Sequence, residues 1–129
     1  MLGQRGIDEV FELARSTELK VVGIGSTESE ASLVSTGMIE SHELEQVKEA
    51  GGAGEILGHY FDEGGNPIAT ELTDRTLTLP LEDLQNTRIV AVAGGEFKIR
   101  AIKSVLESRL LSGLVTDERT ARALLLEPE

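Results

Sequence analysis

Apolar residues in the opening segment recur with the spacing of one helix face. In IDEVFELAR, residues 7–15, Ile7, Val10, Phe11 and Ala14 fall at i, i+3, i+4 and i+7. Asp8 and Glu9 in its first turn and Arg15 in its last suit the helix dipole. The period then changes. LKVVGIGS is a continuous apolar run closed by Gly23 and Gly25, which predicts a short buried strand near residues 20–24 that opens a loop at the carboxyl edge of an α/β sheet. Residues 26–37 are rich in Ser, Thr and Glu and read as irregular. Ser41 offers an N-cap to HELEQVKEA, in which Leu44, Val47 and Ala50 share a face and Gly51 and Gly52 supply the stop.

The middle of the chain is harder to read. EILGHYF fits either helix or strand by pattern, and the turn residues Gly64, Gly65, Asn66 and Pro67 that follow favour a strand entering a hairpin. Leu77 and Leu79 in RTLTLP alternate as in an extended segment, and LEDLQNT reads as a short helix. RIVAVAGG is apolar throughout and β-branched, the signature of a strand buried on both faces, near residues 89–93. A helix over about residues 96–110 follows, with Ile99, Ile102, Leu106 and Leu110 on one side. SGLVTD reads as a strand near 113–116, and ERTARALLL as a closing helix capped by Asp117 or Thr116, with Pro128 beyond its end.

The succession strand, glycines, helix, strand, helix over residues 89–126 implies a right-handed parallel crossover, hence an α/β fold. Only the segments near 20–24, 89–93 and 113–116 read as parallel core strands, which is few for a complete doubly wound sheet. Residues 1–129 are therefore expected to form a single α/β unit that is part of a larger domain. The chain contains no internal repeat and no low-complexity tract.

Composition narrows the partners. With three Phe, one Tyr and no Trp, the core must be aliphatic, as in buried parallel strands. The net charge of −11 and the lack of any basic run disfavour direct contact with nucleic acid. No cysteine is present, so there is neither a disulfide framework nor a thiolate metal site. No signal-peptide pattern and no apolar run of membrane-spanning length occurs, and a soluble cytoplasmic protein is expected.

Three stretches carry candidate chemistry. Gly94, Gly95 and Lys98 stand where a strand turns into a helix: backbone N–H groups can approach a ligand closely there, and a lysine adds a mobile cation at a helix start that prefers anions. The alternative is a tight turn with Lys98 in water. Glu55, flanked by glycines in GGAGEILG, has the acceptor capacity that sugar hydroxyls require, against a reading as an exposed loop charge. Gly23, Gly25 and Ser26 resemble a dinucleotide loop but lack its third glycine, and Glu28 and Glu30 follow where a pyrophosphate would need donors. His42 reads as solvated and His59 as lining a strand face, without the spacing of a zinc site. No nucleophile elbow is present, and Asp62, Glu63, Asp74, Glu82 and Asp83 read as loop charges.

LKVVGIGS, then GGAGEILGHYFDEGGNPI, then LPLEDLQNTRIVAVAGGEFKIRAIKSVLESRLLSGLVTDERTARALL, taken in order, resemble the C-terminal half of the sugar-responsive effector domain of bacterial SorC/DeoR-type transcriptional regulators. The resemblance spans nearly the whole chain and is most specific from VAVAGG onward. It implies a Rossmann-like parallel sheet with flanking helices, similar to glucosamine-6-phosphate deaminase and ribose-5-phosphate isomerase. It further implies a ligand site for a sugar or sugar phosphate that includes Glu55, Gly94, Gly95 and Lys98, with no catalytic residue, cofactor or metal. DNA would be reached only through a helix-turn-helix outside this chain, and self-association into oligomers is expected. The sequence departs from the family pattern in having neither that helix-turn-helix nor the first α/β half with its Gly/Thr-rich phosphate loop. It also has Ser35 and Thr36 where relatives often carry a basic residue.

The leading expectation is thus a non-enzymatic ligand-sensing domain. A sugar-phosphate isomerase or deaminase of the same fold is the alternative from another class, with Glu55 or Asp117 as its candidate base. An assembly module without ligand is the third.

Overall fold

The protein is described from a computed structural model covering residues 5–27, 41–70 and 78–126. The irregular stretch expected up to residue 37, the extended piece before residue 78 and the stop at Pro128 lie mostly or wholly outside these residues. In chain order the elements are α1 (Arg5–Ser16), β1 (Leu19–Val22), β2 (Gly25–Ser26), α2 (Ser41–Glu49), β3 (Gly54–Ile56), β4 (His59–Phe61), β5 (Pro67–Ile68), α3 (Leu81–Gln85) and β6 (Arg88–Val92). A 3₁₀ turn over Glu96–Lys98, α4 (Ile99–Glu107), β7 (Gly113–Val115) and α5 (Glu118–Leu126) complete the chain.

The three strands expected in the core form one sheet in the order β1-β6-β7, parallel throughout. The register places Val21 beside Val90 and Val90 beside Gly113. A second sheet, β2-β3-β4-β5, is antiparallel. Its existence follows from the lean of EILGHYF towards strand, but the segment is two strands. Leu57 and Gly58, both at positive φ (+50° and +85°), make a two-residue turn between β3 and β4. The expected turn at 64–67 connects β4 to β5: Asp62 accepts the N–H groups of Gly64 and Asn66, both at 2.9 Å.

Helix α4 is the centre of the molecule, lying between the two sheets. Its buried residues are Ala101, Ile102, Ser104 and Val105, joined in the core by Val22, Ile89 and Ala91 from the parallel sheet and Ile56 and Phe61 from the hairpin sheet. The sequence pattern picks Leu106 as inward and overlooks Val105. Leu106 is exposed, because a helix between two layers buries a wide arc in which small residues stand closest. A Cβ at Gly54 would stand 2.4 Å from the Ala101 carbonyl oxygen, and Ser104 hydroxyl contacts the carbonyls of Phe61 and Asp62 at 3.0 and 2.7 Å. The helix also ends earlier than expected, with Arg109 in the left-handed region.

Helix α1 is amphipathic as expected. Ala14 touches the core, whereas Val10 and Leu13 are exposed; the side chains of Ile7 and Phe11 lie outside the description.

Candidate functional site

All three parallel strands point their carboxyl ends towards the same loops. β1 runs into Gly23 and Ile24, β6 into Ala93, Gly94 and Gly95, and β7 into Thr116 and Asp117. This is the edge at which open α/β sheets bind ligands.

Two of the charged candidates meet here. Ile24 directly precedes β2, whose Gly25 pairs with Glu55 on β3. Lys98, at the junction of the 3₁₀ turn and α4, reaches across to the same place and donates from Nζ to the Ile24 carbonyl at 3.0 Å. Glu55 is partly buried, and its Oε2 accepts the Gly58 N–H at 2.8 Å. Burial pushes its carboxyl above the ordinary range, opposed by that hydrogen bond and by the charges of His59 and Lys98. A carboxyl and an ammonium from segments 43 positions apart thus share one field, and the Lys98 ammonium has further donors beyond the one it gives Ile24.

Gly94 and Gly95 lie at the same edge but turn towards α5. A Cβ on Gly94 would stand 2.6 Å from Asp117 Oδ2 and 3.4 Å from Thr116 Oγ1. Gly95, at φ +117°, donates its N–H to Thr120 Oγ1 at 2.9 Å. Thr120 in turn gives its N–H to Asp117 Oδ1 at 2.7 Å and its hydroxyl to Asp117 Oδ2 at 3.0 Å, bonds that hold the Asp117 carboxyl below the usual range. Asp117, not Thr116, therefore caps α5. The glycines admit this close packing of loop on helix start, and the Gly95 N–H is already engaged.

His59 lines a strand as expected. Its place opposite Ile56 was not legible, because it depends on the Leu57–Gly58 turn that folds β4 back on β3; the dipeptide Leu-Gly between two apolar runs was the available signal. Its Nε2 lies 2.6 Å from the Leu79 carbonyl oxygen. His42 is exposed on α2, as expected. Among the described residues no group of three or more His, Cys, Asp or Glu side chains is placed to hold a metal ion, and no helix is long and apolar enough to cross a membrane. A shallow groove of about 720 Å³ lined by Arg15, Thr17, Glu18, Asn86 and Arg88 lies at the opposite, amino edge of the sheet and shares no residue with this site.

A three-stranded parallel sheet with flanking helices defines an α/β unit, and comparison with known proteins says of which kind. Residues 1–126 match the family described as "Putative sugar-binding domain", and the chain belongs to that family. It is similar to the erythritol catabolism regulatory protein EryD of Brucella abortus, 48% identical over 128 residues, covering 99% of this chain and 40% of that protein. It is also similar to the transcriptional regulator LsrR of an Enterobacter species, 36% identical over 95% of this chain and 39% of that one. Among solved structures, a DeoR family transcriptional regulator from Listeria monocytogenes superposes with a TM-score of 0.85 at 27% identity, covering 95% of this chain and 50% of that one. The full-length sorbitol operon regulator SorC from Klebsiella pneumoniae gives 0.84 at 25% identity, covering 96% and 40%. The resemblance to SorC/DeoR-type regulators seen in the sequence is thereby established. The chain spans about two-fifths of the length of the curated relatives it matches.

Proposed function

We propose that this chain is the C-terminal half of an effector-binding domain, which binds a sugar or sugar phosphate at the carboxyl edge of the parallel sheet and so controls DNA binding by a helix-turn-helix elsewhere in a regulator. The observation that carries this reading is the convergence of Glu55 and Lys98, from β3 and the start of α4, on the Ile24–Gly25 segment. A partly buried carboxyl accepts from vicinal hydroxyls, and a lysine at a helix start pairs with a phosphate or hydroxyl cluster. Gly94 and Gly95 shape the loop against which the ligand lies.

The reading is of a sensor rather than an enzyme. Asp117, one of two candidate bases, is engaged by Thr120 as a helix cap, and the named relatives are transcriptional regulators. Binding would act through different contacts in two states of an assembly, in a cytoplasmic oligomer. EryD, by its name, regulates erythritol catabolism, so four-carbon polyols and their phosphates head the compounds to try.

The test is a thermal-shift screen of the chain against polyols, sugar monophosphates and sugar bisphosphates. A ligand at about 100 times its Kd adds roughly 2.7 kcal/mol of stability, and the shift should vanish in Glu55→Ala and Lys98→Ala. Turnover of a sugar phosphate, or a shift that survives both substitutions, would sink this assignment.

A further inference from the structure

Aromatic side chains are scarce in this chain, with three Phe, one Tyr and no Trp, and two of them, Tyr60 and Phe61, are buried. Phe97 is the opposite case. It is 68% exposed, in the 3₁₀ turn Glu96–Lys98, between Gly95 and Lys98 of the carboxyl-edge site. A single exposed apolar residue is ordinary on a protein surface. What distinguishes Phe97 is where it stands and how it is held.

The backbone makes room for the ring. A Cβ on Gly95 would stand 2.9 Å from Phe97 Cε1, 3.3 Å from Cζ and 3.4 Å from Cδ1, so one edge of the ring occupies the space that a side chain at 95 would fill. Gly95 is at φ +117°, which by itself calls for glycine, and its N–H is fixed by Thr120 Oγ1 at 2.9 Å. On the other side of Phe97 in sequence, Lys98 is held by the bond from its Nζ to the Ile24 carbonyl at 3.0 Å. A flat apolar group is thus seated on the site's own glycine, with most of its surface in solvent, one residue from the site's ammonium group.

A phenyl ring donates no hydrogen bond to a phosphate or a hydroxyl oxygen; in the function proposed above those groups fall to Lys98 and Glu55. It suits the other surface of a sugar or polyol, the patches of carbon-bound hydrogen between hydroxyls, which lose water against an aromatic face without losing hydrogen bonds. We propose that Phe97 is a specificity-determining residue of the carboxyl-edge site, its ring the platform for the carbon skeleton of the ligand, which selects a sugar or polyol phosphate over inorganic phosphate. This inference rests on the sensor reading of that site and adds a recognition that the charged pair does not supply.

The lack of tryptophan allows a direct test, because Phe97→Trp introduces the sole indole of the chain. Its emission and acrylamide quenching are followed during titration with inorganic phosphate, erythritol 4-phosphate and glucose 6-phosphate. Thermal-shift titrations of the parent chain and of Phe97→Ala run alongside. At least one organic phosphate should shift the emission to the blue and protect the indole from quenching, while inorganic phosphate at the same concentration does neither. Phe97→Ala should melt as the parent does without ligand, yet bind that organic phosphate about tenfold more weakly. An organic phosphate that binds the parent and Phe97→Ala equally, but is lost in Lys98→Ala, would overturn the platform and leave the sensor reading standing. An indole response that survives both Glu55→Ala and Lys98→Ala would detach the ligand from this site and overturn both, as would the absence of any response to either organic phosphate. Emission already blue-shifted before any addition, and more so at higher protein concentration, would assign the ring to a contact between copies and overturn the inference.

Discussion

The two faces of the parallel sheet are both mainly aliphatic, and they differ in what lies on them. Beneath α4, Ile89, Ala91 and Val22 pack against Ala101, Ile102 and Val105, and the hairpin sheet closes on the far side of that helix. Across the sheet, Val21, Val92 and Val115 meet solvent. Apolar composition therefore says that a strand is buried on both faces, but not by which part of a polypeptide. The closed face is covered by elements of this chain, and the open one meets solvent.

The largest effect that separates the faces is expected on the closed one. Ile102→Ala removes a fully buried side chain at the centre of the core and should cost about 2–5 kcal/mol in urea unfolding. Next comes Gly54→Ala, which drives a Cβ onto the Ala101 carbonyl; relief requires parting the hairpin sheet from α4, at roughly 1–3 kcal/mol. A loss below the urea assay's resolution would show that the two layers slide freely.

Glu55 provides a test of the same closed side through pH. Its carboxyl is raised by burial, so the folded state holds the proton more tightly than the unfolded state. The associated stability is present below the unfolded value of 4.5 and is lost as pH rises through the folded value. Glu55→Gln keeps an acceptor for Gly58 and removes the titration. The melting temperature of this variant relative to the parent should therefore climb between pH 4 and 8; a flat difference would place Glu55 in water. The smallest effect belongs to the open face, where Val92→Thr should change the stability of the chain by no more than about 0.5 kcal/mol. A loss comparable to that of Ile102→Ala would mean that the face is already covered.

Much of the parallel sheet was legible because its strands are short apolar runs ending in glycines, a pattern that survives without knowledge of partners. RIVAVAGG, β6, shows it most plainly. The hairpin sheet was only half legible. Its strands have two or three residues each, too few for periodicity, and the positive φ of Leu57 is held by the fold rather than announced by its residue type. At the carboxyl edge, Glu55 and Lys98 stood out as charges among glycines. Their proximity was not visible, since it arises from the β2–β3 pairing and from the reach of Lys98 to Ile24. Nor was the engagement of the Gly95 N–H by Thr120, a contact across 25 residues.

The pairing of β1 with β6 has a further consequence, in time. Thr87 hydroxyl meets the Glu18 carbonyl at the mouth of these strands across 69 residues of chain, whereas β3 joins β4 through two residues and β6 joins β7 through one helix. Short closures cost less entropy and come early; long ones wait for a platform that rewards them. Pulse-labelling hydrogen exchange should find the amides of β1 protected after those of β6 and β4, and simultaneous protection would contradict this order. The strand at the margin of the sheet is then the last to arrive, docking on a body already formed.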